Sequence, residues 1–128
     1  MEMVPHNPTT GVFAPTGDYI HAMEVRSPDR LVFVAGTIGL DPEGAPGATL
    51  EEQLELIWAN LRTILASAGM TVDNIVRLTS YLRSPEYAAA NARARTDALG
   101  GRLVPTTAIV AETLVSTWLV EIEAIAAA

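Results

Sequence analysis

Between Thr49 and Leu82 the spacing of apolar residues changes once, from helical to alternating, and that change narrows the possible folds sharply. Leu50, Leu54, Ile57, Trp58, Leu61, Ile64, Leu65 and Ala68 recur at three- and four-residue intervals, the stripe of one amphipathic helix. Thr49 followed by Glu52 has the capping-box pattern at its start, and Gly69 supplies a left-handed stop. From Thr71 to Leu82 the period becomes two. Val76, Leu78, Ser80 and Leu82 share one strand face, with Ile75, Arg77, Thr79 and Tyr81 on the other. A capped helix running directly into a strand is a unit of a layered α+β or α/β domain.

The rest of the chain extends that unit. Residues 1–17 are rich in proline and glycine and read as an irregular lead-in. Tyr19 to Val25 and Leu31 to Ala35 are strand-length runs separated by Arg26-Ser27-Pro28-Asp29-Arg30, which predicts a hairpin. Ser84-Pro85 opens a second helix that ends before Gly100-Gly101, with Ala88, Ala92 and Ala98 expected on its inner face. Thr106 to Ala111 and Trp118 to Ala126 are the last strand candidates. The predicted order is β-β-α-β-α-β-β, a single α+β domain over residues 1–128 with both helices on one sheet face. Met23, Ile75 and Tyr81 then fall on the uncovered face, and an apolar face of this kind predicts association of several copies.

Composition excludes much chemistry. There is no cysteine, and the eight basic residues are all arginine. Thiolate catalysis, cysteine-ligated metal, a Schiff-base lysine and a P-loop lysine are therefore excluded. A net charge of −7 with scattered arginines argues against nucleic acid as a partner. No apolar run approaches the ~20 residues of a membrane span. Nothing near Met1 resembles a signal peptide, so a cytoplasmic location is expected. The histidines, His6 and His21, show no metal-ligand spacing, and no metal site is expected. His6 reads as solvated and His21 as a hydrogen-bonded structural residue. Gly36-Thr37-Ile38-Gly39 neither has a third glycine nor opens a helix, so a dinucleotide loop is not expected.

The last strand carries the candidate chemistry. Leu119, Glu121, Glu123 and Ile125 alternate with Trp118, Val120, Ile122 and Ala124. Two carboxylates on a mostly apolar strand suit either a solvated sheet edge or a cleft in which one serves as acid or base.

A further set of short stretches stands in order along the chain, from Gly17-Asp18-Tyr19 through Leu31–Gly36 and Thr37-Ile38-Gly39-Leu40-Asp41-Pro42 to Gly44, Glu52-Gln53, Asn60-Leu61, Ile64-Leu65 and Ala68-Gly69. It continues with Asp73-Asn74-Ile75-Val76, Asn91, Pro105 and Glu121-Ile122-Glu123-Ala124-Ile125-Ala126. On these stretches the chain resembles the RidA (YjgF/YER057c-like) family of enamine and imine deaminases. The resemblance implies a chorismate-mutase-like fold and a homotrimer whose sheets form a central barrel, with a small-molecule cleft at each subunit boundary. It implies cofactor-free hydrolysis of reactive enamines and imines, with Glu121 positioning or activating water. Tyr19 and Asn91 would line the cleft, and Ala35, Gly36, Thr37 and Ile109 would border the substrate.

In two places the chain departs from the family pattern. Thr107 stands where that pattern has a carboxylate-binding arginine, and Ala35 where it has a serine. A threonine hydroxyl cannot replace a charged, two-pronged grip, so the sequence predicts a substrate other than the usual α-imino acid. Arg102, near in sequence, reads either as a compensating cation or as a solvated loop arginine, the second being the reading favoured by its loop position. The alternative is a non-catalytic trimer of the same fold that binds small molecules or proteins.

Overall fold

A computed structural model describes residues 1–128. Eight elements of regular structure follow in order: strands β1 (Glu2–His6), β2 (Ala22–Arg26) and β3 (Leu31–Ile38), helix α1 (Leu50–Ser67), strand β4 (Ile75–Leu82), helix α2 (Ala88–Ala98), and strands β5 (Thr106–Val110) and β6 (Val120–Ala127). Short 3₁₀ turns, Val72–Asn74 and Pro85–Tyr87, lead into β4 and α2. A four-stranded sheet has the order β3-β6-β4-β5, and β1 and β2 form a separate antiparallel ribbon. Within the main sheet β4 and β5 are parallel, joined through α2, and the other pairs are antiparallel.

Helix α1 forms as its sequence dictates. The Thr49 side chain accepts from the Glu52 amide, and the Glu52 carboxylate accepts from the Ala48 amide at 2.8 Å, one residue before the expected partner. Gly69 ends the helix at φ 69°, where an L side chain would be strained. Leu54, Ile57, Trp58, Leu61 and Leu65 are buried against Ile75, Leu78 and Leu82 of β4 and Val120, Ile122 and Ala124 of β6. Burying each large aliphatic side chain in this layer contributes about 1.5–3 kcal/mol. Ile64, expected on the stripe, is 40% exposed.

Four expectations are corrected. Glu2–His6 is a strand, paired with β2, within the segment expected to be irregular. β2 and β3 do not form a hairpin, because Asp29 and Arg30 bond to Ala128 and β3 pairs with β6. The C-terminal end thus occupies the edge that β2 would have used. Ile75 is fully buried in the core beneath the helices, since a register shift between Ile75 and Arg77 interrupts the alternation there. On α2 the core-facing alanines are Ala90, Ala94 and Ala98, beside buried Asn91 and Arg95, while Ala88 is exposed.

Loop residues beside β3 are held by two side chains of α1. Gln53 Nε2 donates to the carbonyls of Gly47 and Thr117, and its Oε1 accepts from the Leu119 amide. Asn60 Nδ2 donates to the carbonyls of Ile38 and Leu40. Both residues carry the family resemblance, and both are framework. No helix is long and apolar enough to cross a membrane.

Candidate functional site on the open sheet face

The helices cover one face of the main sheet and leave the other open. Alternation along the strands places Arg77, Thr79 and Tyr81 of β4, Thr107 of β5 and Glu121 and Glu123 of β6 on that open face, whereas Leu78, Ser80 and Ile122 point to the core. The candidate residues fall into two groups bordering it.

The first group surrounds Glu121. This residue sits opposite Ile38 of β3 and Tyr81 of β4. Its side chain lies across Gly36: a Cβ built on Gly36 would stand 2.7 Å from Glu121 Cδ and 2.9 Å from Oε1. Only a glycine leaves room for the carboxylate there. The register of β3 shifts between Val34 and Thr37, so Ala35 and Gly36 form a bulge. The Thr37 side chain turns inward, and its hydroxyl donates to the Ala35 carbonyl at 3.0 Å. Ala35, Gly36 and Thr37 line one wall of an open recess of about 480 Å³ beside α1.

Glu121 enters none of the ion pairs of the structure. Its neighbour Glu123 is committed differently and accepts the Tyr81 hydroxyl at 2.7 Å. That bond is the main cause holding the Tyr81 phenol above the ordinary tyrosine range.

The second group gathers Tyr19, Asn91 and Thr107. These line a recess of about 510 Å³ together with His21, Arg77 and Arg95. Asn91 is 1% exposed and its Oδ1 has no partner within the chain. His21 Nε2 lies 2.8 Å from the Phe13 carbonyl, the structural role expected of it. His6 is exposed and meets Glu24 at 2.6 Å. Arg95 donates to Asp18 at 2.6 Å, which ties the segment before β2 to α2. The Asp18 carboxyl is lowered from its ordinary value, first by the Thr16 hydroxyl and also by Arg95, against an opposing effect of burial.

Thr107 does not stand alone, and Arg102 is not its companion. Arg102 donates to the Val72 and Ile75 carbonyls at 2.9 and 2.7 Å and braces the entry to β4. Arg77 instead reaches Thr107, its Nη2 donating to Oγ1 at 3.3 Å. Reading the sequence missed Arg77 because the parallel pairing of β4 with β5 is not visible in it; the alternation had already placed Arg77 on the correct face. Ile109, two residues further along β5, is 48% exposed.

Thr107 and Glu121 face the same side but do not touch. Thr107 pairs with Thr79, which pairs with Glu123, so Thr107 and Glu121 lie two strands and two residues apart. Ordinary strand dimensions put their Cα atoms about 12 Å from one another. No group of three or more His, Asp or Glu side chains could hold a metal ion.

Comparison with known proteins agrees with this geometry. The family model described as "Endoribonuclease L-PSP" matches residues 9–128. RutC family protein YjgH of Escherichia coli is 36% identical over 69 residues, 54% of this chain and 52% of that protein. The 2-iminobutanoate/2-iminopropanoate deaminase of Mus musculus is 36% identical over 77 residues, 58% of this chain and 54% of that protein. The chain thus spans about half the length of these two curated relatives. Among solved structures, the conserved Rid-family protein YyfB of Yersinia pestis superposes with a TM-score of 0.85 at 29% identity, covering 100% of both chains. With the fold, its residue pattern and these matches in agreement, the chain belongs to the RidA/YjgF family, the one whose model is described as endoribonuclease L-PSP.

Proposed function

We propose that the protein hydrolyses a reactive imine or enamine to a carbonyl compound and ammonia, with Glu121 directing the water and no cofactor. Membership of a family in which the mouse relative is named as an imine deaminase supports the reaction class. The single observation that carries the reading is the Glu121 carboxylate, laid over Gly36 at the open sheet face and engaged by no cation.

The chemistry follows from what a carboxylate can do there. Glu121 accepts a proton from water as the water oxygen forms a bond to the imine carbon, and the C=N π electrons move to nitrogen. The protonated Glu121 then returns that proton to nitrogen, giving a carbinolamine. Loss of ammonia from the carbinolamine restores a C=O bond. Atoms balance as imine plus water to ketone plus ammonia, and no electrons are exchanged. An enamine first takes a proton at its β-carbon and gives one up from nitrogen to become the imine. General acid–base assistance of this type contributes typically 10²–10⁴-fold.

We place this reaction at a boundary between copies in a homotrimer closed through the open sheet faces. In favour of it stand Phe33 at 72% and Leu31 at 51% exposure on β3, apolar area that a lone chain leaves wet.

Steady-state kinetics on imines generated in situ by an amino-acid oxidase test the mechanism, with semicarbazide trapping whatever escapes hydrolysis. Glu121→Gln keeps the shape but cannot take a proton. It lowers kcat by about 100-fold or more and leaves KM within a few-fold. An undiminished kcat would remove Glu121 from the reaction.

A further inference from the structure

We infer that Arg77 is the anion anchor of this cleft: seated on Thr107 and kept free of Glu123 by Tyr81, its guanidinium takes the carboxylate of an acidic imine. The inference rests on the proposed reaction and names its substrate class.

Five of the eight arginines are spent on partners elsewhere in the fold. Arg26 pairs with Glu24, and Arg95 with Asp18. Arg30 donates to the Ala68 carbonyl, Arg83 to Thr113, and Arg102 to the Val72 and Ile75 carbonyls. Arg62 and Arg93 lie in the groove between the two helices, away from the sheet's open face. Arg77 is the one arginine on that face, and its partner is a neutral hydroxyl. A guanidinium carries five N–H donors, so one bond to Thr107 leaves a fork of donors for a carboxylate. Thr107 accepts from Arg77 and keeps its own O–H to donate. Cation and hydroxyl together offer the two-point grip that Thr107 lacks alone.

Glu123 is the obvious competitor. Arg77 and Glu123 line the same shallow recess of about 180 Å³ on the open face. They form no ion pair, because the Glu123 carboxylate accepts from Tyr81 while Arg77 turns to Thr107. The same Arg77 lines the larger recess that holds Tyr19 and Asn91. Tyr81 is therefore a positioning residue. It holds the carboxylate that would otherwise neutralise the anchor.

Titration calorimetry with 2-oxobutanoate and its uncharged amide, on the full chain, tests this directly. Arg77→Ala weakens 2-oxobutanoate about 10- to 100-fold and leaves the amide within a few-fold, the effect of removing a charged hydrogen bond. Adding Thr107→Arg to Arg77→Ala restores carboxylate binding from the neighbouring strand, which also shows that the single variant is folded. Tyr81→Phe weakens 2-oxobutanoate several-fold and spares the amide, and Glu123→Gln in the same chain reverses that loss. Unchanged carboxylate binding in Arg77→Ala, or equal loss of acid and amide, overturns the inference. If Glu121→Gln abolishes turnover while Arg77→Ala keeps the wild-type KM for an acidic imine, the anchor falls and the reaction stands. If no imine is hydrolysed yet 2-oxobutanoate binding depends on Arg77, the reaction falls and the anchor stands.

Discussion

Glu121 has room to lie where it does because residue 36 has no side chain. A methyl group there would meet the Glu121 carboxyl carbon at 2.7 Å, and the flexible end of the glutamate would have to move aside. Gly36→Ala is therefore expected to keep the fold, with a thermal midpoint within a few degrees of wild type, while kcat falls at least tenfold. Circular dichroism and steady-state rates on one preparation separate the two effects. Asp18 makes a contrasting case. Its folded carboxyl is lowered from the ordinary value, first by the Thr16 hydroxyl and also by Arg95, so these partners together stabilise the fold above about pH 3.9, and that contribution is lost as pH falls through the lowered folded value. Asp18→Asn also strands a guanidinium whose side chain is only 5% exposed. The variant is expected to melt lower at neutral pH, with the gap narrowing in acid; a gap constant with pH would show that the ionised Asp18 carboxylate, held by Thr16 and Arg95, adds nothing to stability.

At the scale of elements, what the sequence revealed was the pattern each segment imposes on itself. The stripe, cap and stop of α1 are local properties, and the structure repeats them nearly residue for residue. The alternation that put Glu121 and Glu123 on one side of the last strand is local too. Thr49→Ala should cost about 1 kcal/mol by removing the hydroxyl that accepts the Glu52 amide, measurable by urea denaturation. Pairings between distant segments were not legible. The β2–β3 hairpin failed because its turn bonds to Ala128, about a hundred residues away in sequence. The inward turn of Ile75 depends on a bulge, which the residue pattern does not announce. The same limit hid Arg77: its face was readable, its neighbour on β5 was not. Arg102 looked near Thr107 in sequence, yet the fold sends its side chain to the start of β4.

For the whole molecule, the open sheet face joins fold to function. It holds the Glu121 group, the Arg77–Thr107 pair and the exposed ring of Phe33 on one surface. The two groups are too far apart in one chain to grip a small imine together. A cleft closed by a second copy would bring each group against its complement. Phe33→Asp, which puts a charge in that face, is expected to shift sedimentation from a trimer to a monomer and to lower activity in step. A monomeric wild-type chain, or a monomeric variant with full activity, would contradict the assembly. Beneath this lies the claim that the chain hydrolyses an imine at all, and one rate settles it. Ammonia release from an imine formed in situ is followed with wild-type protein, with Glu121→Gln and with no protein. The account predicts that wild type accelerates release well above the spontaneous rate, whereas Glu121→Gln stays close to it. Release equal to the spontaneous rate with wild type across acidic and neutral imines would contradict it.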